Sequence, residues 1–149
     1  VKRSQGFTLL EILVVLLIVG LFSALSVAWL DAGPAPMHRA LDRLADEAAA
    51  KAAQARHSGQ VSGLRWNGRK PEFVRLQTVE GAARWVVEAQ GANGWPEALK
   101  ADWPASTEPR VVFTPNGVAS PVTLDWRWPE GHQRWRWSSD NGLSRVDVP

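Results

Sequence analysis

GFTLLEILVVLLIVGLFSALSVAWL (Gly6–Leu30) decides how the rest of the chain is to be read. Glu11 is its single charged side chain. From Ile12 to Leu30 run 19 uncharged residues, enough as a helix rising 1.5 Å per residue to cross roughly 28 Å of hydrocarbon. Lys2 and Arg3 precede the run, the pattern that keeps an N-terminus on the cytoplasmic side. A carboxylate inside such a segment is expensive and calls for a named partner. The plain alternative is a secretory signal peptide, with Ser26-Val27-Ala28 as a small-residue cleavage site. Its hydrophobic region would be shorter, and nothing in it would favour Glu11.

Beyond the apolar run, Asp31-Ala-Gly-Pro-Ala-Pro36 predicts a break or kink. Helical periodicity then resumes: Leu41, Leu44, Ala45, Ala48, Ala52 and Ala55 share one face at spacings of three and four. Asp42, Arg43, Asp46, Glu47, Lys51 and Arg56 lie away from it, and Gly59 is the expected stop. An alanine-rich face lets its partner approach closely, and the expected partner is a β-sheet formed by the rest of the chain.

After Gly59 the period changes from 3.6 to 2. The expected strands are 61–66, 72–76, 84–88, 110–114, 122–128, 133–138 and 143–148. Asn67-Gly68, Asn116-Gly117 and Asn141-Gly142 suit tight turns, and Pro129–His132 joins two tryptophan-bearing strands. Residues 92–106 read as a loop with at most a helical turn. The fold class is thus α+β: a long N-terminal helix followed by an antiparallel β-sheet domain. A continuous helix from Phe7 to His57 would span roughly 77 Å.

Composition narrows the function. The formal charge of +2 comes entirely from Lys2 and Arg3; from Phe7 onward 15 basic side chains face 15 acidic ones. A globally basic nucleic-acid binder is therefore not indicated. With no cysteine there is no disulfide, thiolate metal site or lipoprotein anchor. His38, His57 and His132 lack metal-ligand spacing, and no nucleophile elbow, phosphate loop or carboxylate pair is present. The reading is of a protein that is not an enzyme and holds no cofactor.

Gly6-Phe7-Thr8-Leu9-Leu10-Glu11, heading an apolar run with basic residues before it, resembles the N-terminal signature of type IV pilins and pseudopilins. The resemblance implies cleavage by a prepilin peptidase between Gly6 and Phe7 and methylation of the new N-terminus at Phe7. It also implies a role for Glu11 in assembly, pairing with the amine on Phe7 of a neighbouring subunit and so setting register in an apolar helical core. The domains expected are a leader (1–6), a transmembrane and assembly helix (7–30), its amphipathic continuation (31–59) and a periplasmic β domain (60–149).

Within that superfamily, ALDRLADEAAAKAAQARHSGQVSGLRWNG (Ala40–Gly68) resembles the H-type minor pseudopilin of type II secretion systems and the related FimT-like minor pilins. Arg110–Gly117 followed by Ser120–Leu124 resembles their "F-x-P-x-G … P-x-x-L" segment. The acidic calcium loop of major pseudopilins has no counterpart, since Asp140 and Asp147 stand apart, and the disulfide loop of type IV minor pilins would need cysteines. The resemblance implies a pseudopilus subunit at or near the tip, supporting export of folded proteins across the outer membrane. It would sit in the inner membrane before assembly. Its implied partners are the other minor pseudopilins, the major pseudopilin and the prepilin peptidase, with secreted substrates or the secretin beyond them.

DWRWPEGHQRWRW (Asp125–Trp137) carries the remaining signal, in a chain with nine tryptophans and no tyrosine. Alternation sets Trp126, Trp128, Trp135 and Trp137 opposite Arg127, Arg134 and Arg136. Two readings stay open: tryptophans filling a small core beneath solvated arginines, or Arg127, Arg134, Arg136, Trp135 and Trp137 as a partner-binding surface. FimT-like pilins that bind DNA make nucleic acid the rival partner. Five arginines against four acidic residues in 110–149 are too balanced for its footprint.

Overall fold

The structure, a computed structural model, describes residues 6–31, 35–88 and 93–149, and only the backbone of 27–31 and 35. Lys2, Arg3 and most of the expected leader lie outside these residues, as do the centre of the expected break (32–34) and the first residue of the expected 92–106 loop. The chain divides into two units, Val1–Pro36 and Met37–Pro149.

The first unit is built on α1 (Leu9–Asp31). Its stretch Leu9–Ser26 is long and apolar enough to cross a membrane, and no part of it is buried. Apolar side chains surround the helix on every side, the pattern of a segment whose solvent is lipid or other apolar helices. Ser23 and Ser26 turn their hydroxyls back onto the carbonyls of Val19 and Phe22, each at 2.8 Å, which satisfies both within the helix.

The second unit opens within α2 (Ala35–Ser58), whose first turn holds Pro36, where its missing N–H is not needed. Leu41, Leu44, Ala48, Ala52 and Ala55 are buried and Ala45 packs against the same core, as the spacing predicts. Gly59, at φ +71°, ends the helix and donates its N–H to the Ala55 carbonyl.

Among the described residues eight strands follow, in two antiparallel four-stranded sheets. The first sheet has the order β3-β2-β1-β5, from β1 (Ser62–Trp66), β2 (Pro71–Val79), β3 (Ala82–Val87) and β5 (Val111–Phe113). The second has the order β4-β6-β7-β8, from β4 (Lys100–Ala101), β6 (Val122–Trp128), β7 (Gly131–Trp137) and β8 (Leu143–Val148). Single-strand periodicity does not reveal this division, because pairs such as β1 with β5 join residues far apart in sequence.

Large side chains from both sheets meet the small face of α2. Leu64, Trp66, Phe73, Phe113, Leu124, Trp126, Trp128, Trp135 and Trp137 form one buried cluster with Ala40, Leu41, Leu44, Ala48, Ala52 and Ala55. The pairing of indole with alanine is a matter of volume, since a close-packed interior must set small against large. Trp126 is the hub: its ring centroid lies 4.8 Å from that of Trp103, 5.3 Å from Trp95, 5.5 Å from Trp135 and 6.0 Å from Trp66. These are the tilted and edge-on contacts that the ring quadrupole favours.

Candidate assembly helix and hairpin face

At the head of α1, Thr8 is the capping residue. Its carbonyl accepts the first helical bond, from the Ile12 N–H, and its Oγ1 accepts the Glu11 N–H at 3.2 Å. Glu11 therefore occupies the third helical position, in the first turn. T-x-x-E is the spacing of a capping box, a local signal that lies beneath the longer signature. A carboxylate there faces the positive end of the helix dipole and the unpaired N–H groups of the first turn, a stabilising location. Phe7 is exposed immediately before the cap, next to Gly6.

The hairpin of β6 and β7 has the register Asp125↔Arg134, Thr123↔Arg136 and Arg127↔His132 on one face, and Leu124↔Trp135, Trp126↔Gln133 and Trp128↔Gly131 on the other. The four hairpin tryptophans point inward. Trp135 and Trp137 are 0% and 3% exposed, which corrects the reading of them as surface anchors: the core needs their volume opposite the alanines of α2. On the same inward face Gln133, opposite Trp126, is a buried polar link. Its Oε1 accepts the Trp135 indole N–H at 2.6 Å, and its Nε2 donates to Asp147 of β8 at 2.8 Å.

The arginines lie on the outer face, and two of the three are engaged. Arg134 clasps Asp125 through two bonds of 2.8 and 3.1 Å, and Arg127 pairs with Asp102 at 2.9 Å. His132 also stands 3.4 Å from Asp125. The Arg134 hydrogen bonds hold the Asp125 carboxyl below the usual carboxylate range; partial burial opposes this, and the charges of Arg134 and His132 add to it. Arg136 is exposed and, among the described residues, forms no ion pair or hydrogen bond. The face is thus a ladder of matched charges more than a basic patch.

Edge contacts fix the hairpin within the domain. Arg145 of β8 reaches Asp42 of α2 at 2.7 Å, with its guanidinium 5.9 Å from the Trp135 ring centroid. Gly131 has no side chain because the Trp128 indole lies over it: an added Cβ would meet three ring atoms within 2.9 Å. Among the described residues, no group of three histidine or acidic side chains is placed to hold a metal ion.

Residues 1–27 match the prokaryotic N-terminal methylation motif. No curated protein sequence gives a significant match. Among solved structures, GspH of E. coli aligns with a TM-score of 0.62 at 19% identity, over 78% of this chain and 92% of that one. The minor pseudopilin EpsH from the type 2 secretion system of Vibrio cholerae aligns with a TM-score of 0.54 at 19% identity, over 71% of this chain and 92% of that one. A crystal structure of EpsH aligns with the same TM-score at 17% identity. The chain joins a prokaryotic N-terminal methylation motif to a domain with the fold of these H-type proteins.

Proposed function

We propose that this protein is a minor pseudopilin of a type II secretion system, of the H type. The observation that carries the proposal is the conjunction of a methylation motif at residues 1–27 with a C-terminal fold shared with EpsH and GspH. On this reading the prepilin peptidase cuts after Gly6 and Phe7 is N-methylated. The helix from Phe7 to Leu30 holds the protein in the inner membrane, with the β domain in the periplasm, until it is drawn into the pseudopilus at or near the tip. Its partners there are the other minor pseudopilins and the major pseudopilin, and its work is structural support for export of folded proteins. Glu11 is the polar handle of the assembly helix and pairs with the Phe7 amine of a neighbour.

The matched charges on the hairpin face weigh against the rival reading, a FimT-like pilin that takes up DNA. Asp102 and Asp125 already engage Arg127 and Arg134, so on this face few cations remain to displace counterions from a phosphate backbone. Mass spectrometry of the membrane-extracted protein tests the processing step. The expected N-terminus is methylated Phe7; an uncleaved chain, or one cut after Ala28, would sink the proposal.

A further inference from the structure

An open groove of about 750 Å³ lies between the β1–β2 turn and the segment leading into β4. One wall carries Arg69 and Lys70; the other carries Trp95, Glu97 and Lys100. Both walls are fixed by their own hydrogen bonds. In the turn, Gly68 sits at φ +98° and the Asn67 side-chain oxygen accepts the N–H groups of Arg69 and Lys70 at 2.8 and 2.9 Å. This Asx-type closure presents two consecutive cations on a rigid base. Opposite them, Trp95 donates its indole N–H to the Leu99 carbonyl at 3.0 Å. Its ring packs on Trp66 and Trp126 at 6.5 and 5.3 Å, so this wall is anchored in the core.

The charge in the groove is uncompensated. Arg69, Lys70 and Lys100 face a single carboxylate, Glu97, and their side chains make no ion pair or hydrogen bond among the described residues. Arg65, Arg127, Arg134 and Arg145, by contrast, each have a carboxylate oxygen within 2.9 Å. A concave site lined by one sign of charge concentrates ligands of the other. Its volume is that of a site for an extended ligand rather than a single small ion. The half-buried Trp95 adds an aromatic surface of the kind that anchors protein interfaces.

We propose that this groove binds an acidic, extended segment of another protein, with carboxylates on Arg69, Lys70 and Lys100 and an apolar side chain against Trp95. Glu97 within the groove and a single aromatic surface do not suit a single-stranded nucleic acid, which needs a continuous cationic track with several stacking rings. The inference rests on the folded domain alone and stands apart from the assembly reading.

The test uses the full chain in zwitterionic detergent and a fluorescein-labelled Asp-Glu-Phe-Asp-Glu peptide, with anisotropy as readout. Binding is expected to weaken about tenfold or more in the Lys70→Glu, Lys100→Glu double variant. It should be unchanged in Arg136→Glu, which reverses an exposed cation on the outer face of the hairpin. Near-UV circular dichroism should show the same tryptophan packing in all three proteins. The Asn-Gln-Phe-Asn-Gln peptide should bind far more weakly. Absence of binding by the acidic peptide, equal loss in Arg136→Glu, or tighter groove-dependent binding of a short oligothymidylate would each overturn the proposal.

Discussion

Replacing Gly131 by alanine tests whether the hairpin is held by the indole of Trp128. The two residues are directly opposed across β6 and β7. The new Cβ would stand 2.6, 2.7 and 2.9 Å from Cζ2, Cε2 and Nε1 of that ring. Ordinary contact between such atoms is about 3.5–4.0 Å, so ring and strand must part by about 1 Å. Trp128 is only 7% exposed, and the His38 ring meets it edge-on with centroids 5.3 Å apart, so the indole cannot turn aside without losing packing. Overpacking of this kind costs about 1–3 kcal/mol. In a domain of this size that corresponds to a fall in Tm of about 4–12 °C.

The assay is thermal unfolding of the full chain in detergent, followed by near-UV circular dichroism, for Gly131→Ala, Trp128→Leu and the double variant. In the Trp128→Leu background the obstacle is gone, and Gly131→Ala should cost at least about 1 kcal/mol less than in the parent protein. An equal cost in both backgrounds, or no cost in the parent, would refute the argument that the glycine exists to seat the ring.

Three further outcomes follow from other contacts. Gln133→Leu strips the Trp135 indole N–H and Asp147 of their shared partner and should lower stability by about 1–3 kcal/mol in a denaturant titration; an unchanged midpoint would show the link contributes nothing. Asp125→Asn should destabilise the domain at neutral pH, with the gap to the parent closing as pH drops. A carboxyl whose folded pKa is depressed contributes above its unfolded value, about 3.9, and loses the contribution as pH falls through the folded value, so a gap that does not shrink as pH falls below the unfolded value would contradict the Arg134 pairing. On the proposed function, Glu11→Ala at the head of α1 should leave cleavage after Gly6 largely intact yet weaken copurification with the major pseudopilin, whereas Thr8→Ala, which removes only the cap, should preserve it. Equal losses would mean that Glu11 acts through helix capping.

Much of this architecture was legible because it is written in local period. The 3.6-residue stripe gave the buried face of α2, and alternation gave β6 and β8 with the bounds observed. What escaped was non-local or too short. The two residues of β4 have no period to detect, and they exist as a strand only because Arg127 and Trp126 lie opposite them. The β2–β3 turn places Glu80 and Gly81 at φ +50° and +79°, but Glu-Gly lacks the Asn or Asp that usually marks such a turn. At the β7–β8 turn the left-handed residue is Asn141, at φ +62°, and the loop closes through an Asp140 oxygen that accepts from both the Ser138 hydroxyl and the Gly142 N–H. The tryptophans left two readings open because alternation shows that four share a face without showing what covers it. The cover is α2, more than 70 residues earlier in the chain.

The capping geometry changes the energetics of Glu11. As an isolated charge in an apolar run it is a cost that only a partner subunit relieves. At the third position of α1 it lies in the first turn, at the positive end of the helix dipole, which lowers its cost within a single chain. That stabilisation is modest, about 0.3–1 kcal/mol for an exposed terminus, whereas a charge-assisted bond to an ammonium group in a dry helical core is stronger. Cleavage after Gly6 would create such an ammonium on Phe7, one residue before the cap. On the proposed function, the same carboxylate is tolerable in a membrane-held monomer and still favours assembly, because the difference between its two environments, and not its absolute cost, sets the driving force.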